Sequence, residues 1–153
     1  MDPTRFVTDT SLAYLARRLL FLGYDVKVVP GARLEELFAA ARREERIVLT
    51  LSARHPGAFT DVAAIVVPRE DVATALRSIT AAHAPVSEPF TRCPACNQPL
   101  QTRHAMEARG EVPGRVLRMP GPLRFCPNCG KWYWEGSHVA RLREWLAQAL
   151  GSA

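Results

Sequence analysis

Cysteine is absent from the first 92 residues of the chain, and all four cysteines lie between positions 93 and 129. No apolar run is long enough to span a bilayer, so we expect no membrane-spanning segment. The N-terminus lacks the basic start and apolar stretch of a secretion signal, so we expect a cytoplasmic protein. Stable disulfides are rare in that compartment, which makes metal binding the first interpretation of the clustered cysteines.

Acidic residues are scarce relative to basic ones only in the second half of the chain. Residues 1–86 hold 11 Lys and Arg against 10 Asp and Glu, whereas residues 87–153 hold 9 against 5. Excess positive charge favours a polyanion such as RNA, but it also serves solubility, and the two interpretations weigh about equally. A zinc site of four thiolates would reduce this excess, because it carries about two negative charges.

Apolar residues in the first half alternate between strand-like and helix-like spacing. Nearly continuous Val and Ile runs are typical of strands covered on both faces of a parallel sheet. Helical segments separate these runs, and the alternation predicts an α/β fold with a mainly parallel sheet. The predicted strands are 6–8, 25–29, 47–51 and 63–67, and the predicted helices are 12–22, 33–45 and 70–82.

A segment with two prolines and no periodicity, residues 83–92, separates the two halves. We therefore predict an α/β domain over residues 1–86 and a small zinc-ribbon domain over residues 87–153. Residues 98–122 hold four prolines and three glycines, which excludes a long helix there and favours a hairpin or irregular structure. A terminal helix is predicted over residues 139–150.

Two Cys-x-x-Cys motifs, Cys93 with Cys96 and Cys126 with Cys129, are separated by 29 residues. A two-residue gap lets one tight turn present two thiolates to the same tetrahedral Zn²⁺. Four cysteine ligands leave no position for a catalytic water, so we predict a structural zinc ion. A redox dithiol is less favoured, because a redox motif needs no duplicate. His104 and His138 are possible substitute ligands, but an ordinary surface histidine is the favoured interpretation of His104.

Acidic residues near the carboxyl end of the predicted sheet are candidate catalytic residues. Asp9 follows the first strand, where open parallel sheets bind ligands, and an acid there can hold Mg²⁺ or Mn²⁺ for phosphoryl chemistry. The alternative, which the residues alone favour, is an N-cap of the next helix. Glu35 and Glu36 could approach the same site or serve as first-turn acids that complement the helix dipole. The third strand leads into Ser52 and offers no carboxylate.

Aromatic residues alternate directly after the last cysteine. Trp and Tyr can stack on bases, while Lys, Arg and His can contact phosphates. Candidate nucleic-acid-binding residues are therefore Arg92, Lys131, Trp134 and His138. A strand with one buried face also explains the alternation, because Trp132 and Trp134 would then share one side. We expect at least one of these two tryptophans to serve packing.

Several of these segments together resemble the Mut-seven C-terminal RNase domain family, which joins a PIN-like nuclease domain to a C-terminal zinc ribbon. The resemblance runs from about Phe6 to Leu146. Its most specific parts are RCPACN and CGKWYWEGSH, and the segments LAYLARRLLFLGYDV and ARREERIVLT also fit. The resemblance implies a PIN-like, Rossmann-like sheet with an acidic metal site, RNA as substrate, Asp9 as the first acid and the four cysteines as zinc ligands.

Two further acids of the family pattern are missing from this chain. The family has an Asp just before the second helix, where this chain has Arg33 and Leu34, and it reads L-T-R-D where this chain reads L-T-L-S up to Ser52. Glu35 could compensate for the first loss, but nothing nearby replaces the second. A carboxylate cage that loses ligands binds metal and positions water less well. We therefore predict a metal-dependent RNase of weakened activity; the alternative is a catalytically degenerate RNA- or ribonucleoprotein-binding module.

Overall fold

A computed structural model describes residues 4–68 and 71–151. The chain divides into two compact units, residues 1–97 and residues 98–153. The boundary predicted from sequence, after residue 86, lies earlier in the chain, and the assignment of residues 87–97 to the ribbon stays a prediction. Within the described residues no helix combines the length and the apolar character needed to cross a membrane. The cytoplasmic location stays a prediction.

Four parallel strands form the sheet of the first unit, in the order β2-β1-β3-β4. The predicted α/β class with a parallel sheet is thus confirmed, and the arrangement is compatible with a PIN-like fold. The strands are β1 (Arg5–Thr8), β2 (Asp25–Val28), β3 (Ile47–Thr50) and β4 (Ala64–Val66), and the helices are α1 (Ala13–Phe21), α2 (Leu34–Glu44) and α3 (Val72–Ala82).

Burial of the two central strands explains their apolar sequences. Phe6 and Val7 of β1 and Val48 and Leu49 of β3 are fully buried, as expected for neighbouring positions that point to opposite, helix-covered faces of a parallel sheet. The helix limits differ from the predicted ones by one or two residues. Residue 70, the predicted start of the third helix, lies outside the described residues, and α3 begins after residue 71.

Strand pairing fixes which side chains share an end of the sheet. Because β1 and β3 run parallel, with Val7 opposite Val48, the residues that follow them emerge at the same carboxyl edge. Asp9 and Ser52 are therefore on that edge. Asp25 lies opposite Arg5 at the start of β2, so it belongs to the amino edge.

The second unit is built on an antiparallel sheet in the order β5-β6-β7. Its elements are β5 (Gln101–Arg103), β6 (Leu123–Cys126), β7 (Lys131–Tyr133), α4 (Gly114–Leu117) and α5 (Ser137–Ala149). The four-residue α4 and a 3-10 turn are the helical structure within residues 98–122, which confirms that no long helix forms there. A small buried core of Ala108, Val116 and Leu123 supports this sheet.

Candidate functional site

The four cysteines converge on one point. The sulfur atoms of Cys93, Cys96, Cys126 and Cys129 lie within 4.8 Å of one another. Tetrahedral zinc with Zn–S bonds of about 2.3 Å sets its sulfur ligands about 3.8 Å apart, so the cluster could hold this ion. Cys93 and Cys126 are fully buried, whereas Cys96 and Cys129 are partly exposed. The donor set and its spacing fit a structural zinc ion of the ribbon type.

The two cysteine turns have the same backbone design. The N–H of Asn97 donates to the carbonyl of Cys93 at 2.9 Å, and the N–H of Gly130 donates to the carbonyl of Cys126 at 2.8 Å. Both donors follow the second cysteine of their motif and adopt left-handed conformations, with φ of 73° and 69°. Gly and Asn are the residues that tolerate this conformation best. The sequences CPACN and CPNCG therefore encode equivalent turns.

Backbone N–H groups also point at the sulfur atoms of these turns. The N–H of Ala95 donates to Cys93 Sγ at 3.4 Å, and the N–H of Cys129 donates to Cys126 Sγ at 3.3 Å. The first cysteine of each motif thus accepts a backbone N–H from its own turn, a further feature that the two turns share.

A largely buried polar network joins the first cysteine turn to the amino edge of the parallel sheet. Asn97 donates from Nδ2 to Asp25 Oδ1 at 2.6 Å and accepts the N–H of Val26 at its Oδ1 at 3.1 Å. Arg46 donates to the same Asp25 oxygen at 2.7 Å, and Arg92 lies 3.7 Å from Asp25 Oδ2. Sequence reasoning did not identify this network, because its members are distant in the chain.

The network keeps Asp25 ionised. Burial opposes the charged form of this carboxyl group, but hydrogen bonds from Arg46 and Asn97 and the positive charges of Arg46 and Arg92 outweigh it, so its pKa is lowered. The Arg46 side chain is 9% exposed and the Arg92 side chain 12%. Arg92 is thus largely enclosed by Asp25 and Asn97, and we leave it out of the nucleic-acid-binding surface that sequence predicted.

Asp9 caps the turn that follows β1. Its Oδ1 accepts the N–H of Ser11 at 2.8 Å and a short hydrogen bond from the Ser11 hydroxyl, at the start of the 3-10 turn Thr10–Leu12. The predicted N-cap is confirmed. The carboxylate also lies at the carboxyl edge of the sheet, where the alternative metal-binding role would place it.

Glu35 and Glu36, at the start of α2, are each paired with an arginine. Glu35 accepts a short hydrogen bond from Arg54. Glu36 accepts a hydrogen bond of ordinary length, 3.0 Å, from Arg33. The hydrogen bond from Arg54 is the main cause of a lowered pKa at Glu35. A carboxylate poised as a general base would show the opposite shift. Ser52 completes this edge, and its hydroxyl oxygen accepts the N–H of Arg54 at 3.2 Å.

The remaining acids that the sequence left unassigned also have local partners. Asp61 forms an ion pair with Arg42, and Asp71 caps α3 by accepting the N–H of Thr74 at 3.0 Å. Across residues 4–68 and 71–151, the cysteine cluster is the one group of three or more His, Cys, Asp or Glu side chains that converges as metal ligands do. His104 is not part of it and caps the 3-10 turn Ala105–Ala108.

The two tryptophans beside β7 are held differently. Both pack against the small core of the second unit, as the packing interpretation expected. Trp132 also donates from Nε1 to Glu111 at 2.9 Å, and its ring packs against Phe125 in a tilted arrangement with ring centroids 4.8 Å apart. The indole N–H of Trp134 forms no side-chain hydrogen bond in the described part of the chain. Trp132 is therefore fixed to the ribbon by a hydrogen bond and a ring contact, whereas Trp134 is held by packing.

A hollow of about 400 Å³ lies beside Trp134 in the second unit. Tyr133, Trp134, Arg115 and His138 contribute to its wall, which brings two of the predicted nucleic-acid-binding residues together. Lys131 lines a separate open hollow of about 530 Å³, next to Glu111. The sequence hinted at Arg115 only through its lack of a nearby acid.

The fold and the site define an α/β protein with a parallel sheet and a four-cysteine cluster suited to a zinc ribbon. The family model described as the Mut7-C RNAse domain matches residues 4–146. The chain therefore belongs to the Mut7-C RNAse domain family. No curated protein and no solved structure matches the chain.

Proposed function

We propose that this chain is an RNA-binding member of its RNase family in which metal-dependent hydrolysis is weak or lost. One observation carries the proposal: the candidate acids at the carboxyl edge are held by partners in the same chain. Asp9 caps its own turn, while Glu35 and Glu36 are paired with arginines. Hydrolysis of a phosphodiester by metal ions requires several carboxylates that converge on one or two ions.

RNA as the partner is supported by the family and by charge. An RNase-family scaffold is adapted to RNA, and residues 98–153 hold 8 Lys and Arg against 4 Asp and Glu. Arg115 and Lys131 have no carboxylate partner among the described residues. Positive side chains beside exposed aromatic rings are the usual means of binding single-stranded RNA.

Zinc is the proposed resident metal, with Cys93, Cys96, Cys126 and Cys129 as its ligands. A bound ion would cross-link the two cysteine turns and supply folding energy to a segment with a small apolar core. Its role is structural, because four thiolates fill the coordination sphere.

A second candidate function is RNA cleavage with Mg²⁺ or Mn²⁺. Family membership and the position of Asp9 at the carboxyl end of β1 favour it. In that case Asp9 would hold the ion with help from Glu35 or Glu36, and water would attack the phosphodiester.

One experiment separates the two functions. Labelled single-stranded RNA is incubated with Mn²⁺ and either the wild type or Asp9→Asn, and both cleavage and binding are measured. We expect tight, salt-dependent binding by both proteins and equal, near-background cleavage. Cleavage by the wild type that disappears in Asp9→Asn would establish the RNase. Absence of RNA binding at low salt would refute the RNA-binding proposal.

A further inference from the structure

The hollow beside Trp134 combines an aromatic wall with two basic side chains, Arg115 and His138. Arg115 lies in α4 and His138 at the start of α5, and both side chains are exposed. Neither forms an ion pair or a side-chain hydrogen bond within residues 4–68 and 71–151. A guanidinium group and an imidazole N–H beside aromatic rings suit a ligand that carries both a flat ring and a negative charge.

Trp134 is positioned by close packing. A Cβ added at Gly136 would lie 3.2 Å from both Cδ1 and Nε1 of Trp134, so the edge of the indole ring lies directly against this glycine. The N–H of Gly136 also donates to the Trp134 carbonyl at 3.1 Å. A ring fixed in this way loses little conformational freedom when another ring stacks on it.

The size of the hollow fits one nucleotide unit. Its volume of about 400 Å³ is at the lower end of the range of about 300–1,000 Å³ that is typical of small-ligand sites. The lining of Met119 and the aromatic side chains supplies apolar contact, while Arg115 and His138 supply hydrogen-bond donors for phosphate oxygens. The neighbouring hollow is less suitable, because Glu111 places a carboxylate there.

We propose that this hollow binds a single nucleotide of single-stranded RNA, with the base stacked on Trp134 and the phosphate held by Arg115 and His138. The inference rests on the proposed RNA-binding function and assigns its contact site. It predicts a preference for unpaired RNA, because a base in a duplex is stacked on its neighbours and cannot enter the hollow.

The test measures binding of a fluorescent oligouridine of about nine nucleotides by anisotropy, with the zinc-loaded full chain. Trp134→Leu keeps an apolar side chain against the core but removes the stacking ring, so we expect affinity about 5- to 150-fold weaker, the range for loss of one base–aromatic stack. Trp134→Phe keeps a ring and should restore most of the affinity. Arg115→Gln should weaken binding, whereas Arg109→Gln removes an exposed arginine outside the hollow and serves as the matched control.

Two further probes separate stacking from charge. Inorganic polyphosphate carries charge without bases, so it should bind wild type and Trp134→Leu alike. If Trp134→Leu and Arg115→Gln both bind oligouridine as tightly as the wild type does, this inference is overturned and the RNA-binding proposal stays intact. No binding of oligouridine by the wild type at low salt would overturn the RNA-binding proposal itself. Thermal unfolding of each variant identifies any loss that comes from misfolding.

Discussion

Charged side chains are largely buried at the amino edge of the parallel sheet and largely exposed at its carboxyl edge. At the amino edge, Arg46 and Arg92 are largely buried and joined through Asp25, to which Asn97 also donates a hydrogen bond. At the carboxyl edge, the side chains of Glu35 and Arg54 are 53% and 60% exposed and form a pair that solvent screens. The amino edge is built as part of the scaffold, whereas the carboxyl edge is built as an open surface.

This difference explains which parts of the sequence keep the family pattern. The segments GYD, ARREER and RCPACN supply Asp25, Arg46, Arg92 and Asn97, which together form the amino-edge network. The expected acids that are missing belong to the carboxyl edge. These three parts of the resemblance therefore coincide with residues that hold the first cysteine turn, and they do not by themselves argue for a working nuclease centre.

The largest expected effect comes from zinc removal. Cys126→Ser, or a strong chelator added to the wild type, should abolish amide-exchange protection in β6 and β7 while β1 and β3 keep theirs. The reason is that structural zinc contributes about 10–16 kcal/mol in small zinc peptides, whereas the sheet of the first unit has its own core of fully buried Phe6, Val7, Val48 and Leu49. Hydrogen exchange read by mass spectrometry, with zinc content measured in parallel, checks this.

The same experiment also tests where RNA binds. If the hollow beside Trp134 is the site, chelation should remove binding of oligouridine, because β7 loses its support. A chain that holds no zinc, or whose β6 and β7 stay protected after zinc is removed, would contradict the assignment of the cysteine cluster.

A smaller effect is expected at the amino edge. Asp25→Asn removes the carboxylate that Arg46 and Arg92 share in a largely buried position, while Arg46 keeps its ion pair with Glu44. This loss should cost about 2–4 kcal/mol of unfolding free energy at pH 7. Asp61→Asn is the matched control, because Asp61 pairs with Arg42 at the surface, where solvent screens such a pair and leaves it with little effect on stability. Urea unfolding of both variants measures the contrast. Equal costs would show that the two carboxylates are not in different environments.

The contribution of Asp25 to stability should decrease when the solution is made acidic. The pKa of an Asp in an unfolded chain is about 3.9. The pKa of Asp25 is lower than this in the folded state. The stabilisation that Asp25 gives the folded state is therefore complete above about pH 4. It is lost as the pH falls through the lowered pKa of the folded state. The difference in stability between wild type and Asp25→Asn should shrink over that range of pH.

Local patterns in the sequence were sufficient for the strands and helices of the first unit, the terminal helix and the cysteine turns. Val and Ile runs predicted β1 and β3, and the C-x-x-C spacing predicted the convergence of four sulfur atoms, because these signals lie within a few residues of one another. The pairing of Asp25 with Asn97 spans 72 positions, and that of Glu35 with Arg54 spans 19. Such pairs depend on how elements pack, which periodicity does not encode, so neither the amino-edge network nor the pairing of Glu35 with Arg54 could be predicted.

The smallest expected effect is at Asp9, where it separates a cap from a metal ligand. Asp9→Ala removes the side-chain acceptor for the Ser11 N–H and should cost about 1 kcal/mol, whereas Asn caps as well as Asp and should cost almost nothing. Asp71→Ala, which removes the equivalent cap of α3, gives the reference value.

Mn²⁺ provides the decisive readout for Asp9. An ion that binds only the folded state raises the unfolding temperature, so a metal site at the carboxyl edge would stabilise the wild type and not Asp9→Asn. We expect zinc-loaded wild type and Asp9→Asn to show the same small response to Mn²⁺, because Glu35 and Glu36 are engaged by Arg54 and Arg33. A shift confined to the wild type would mean that Mn²⁺ displaces these arginines, and the carboxyl edge would then have to be regarded as a metal-binding surface that its own ion pairs mask.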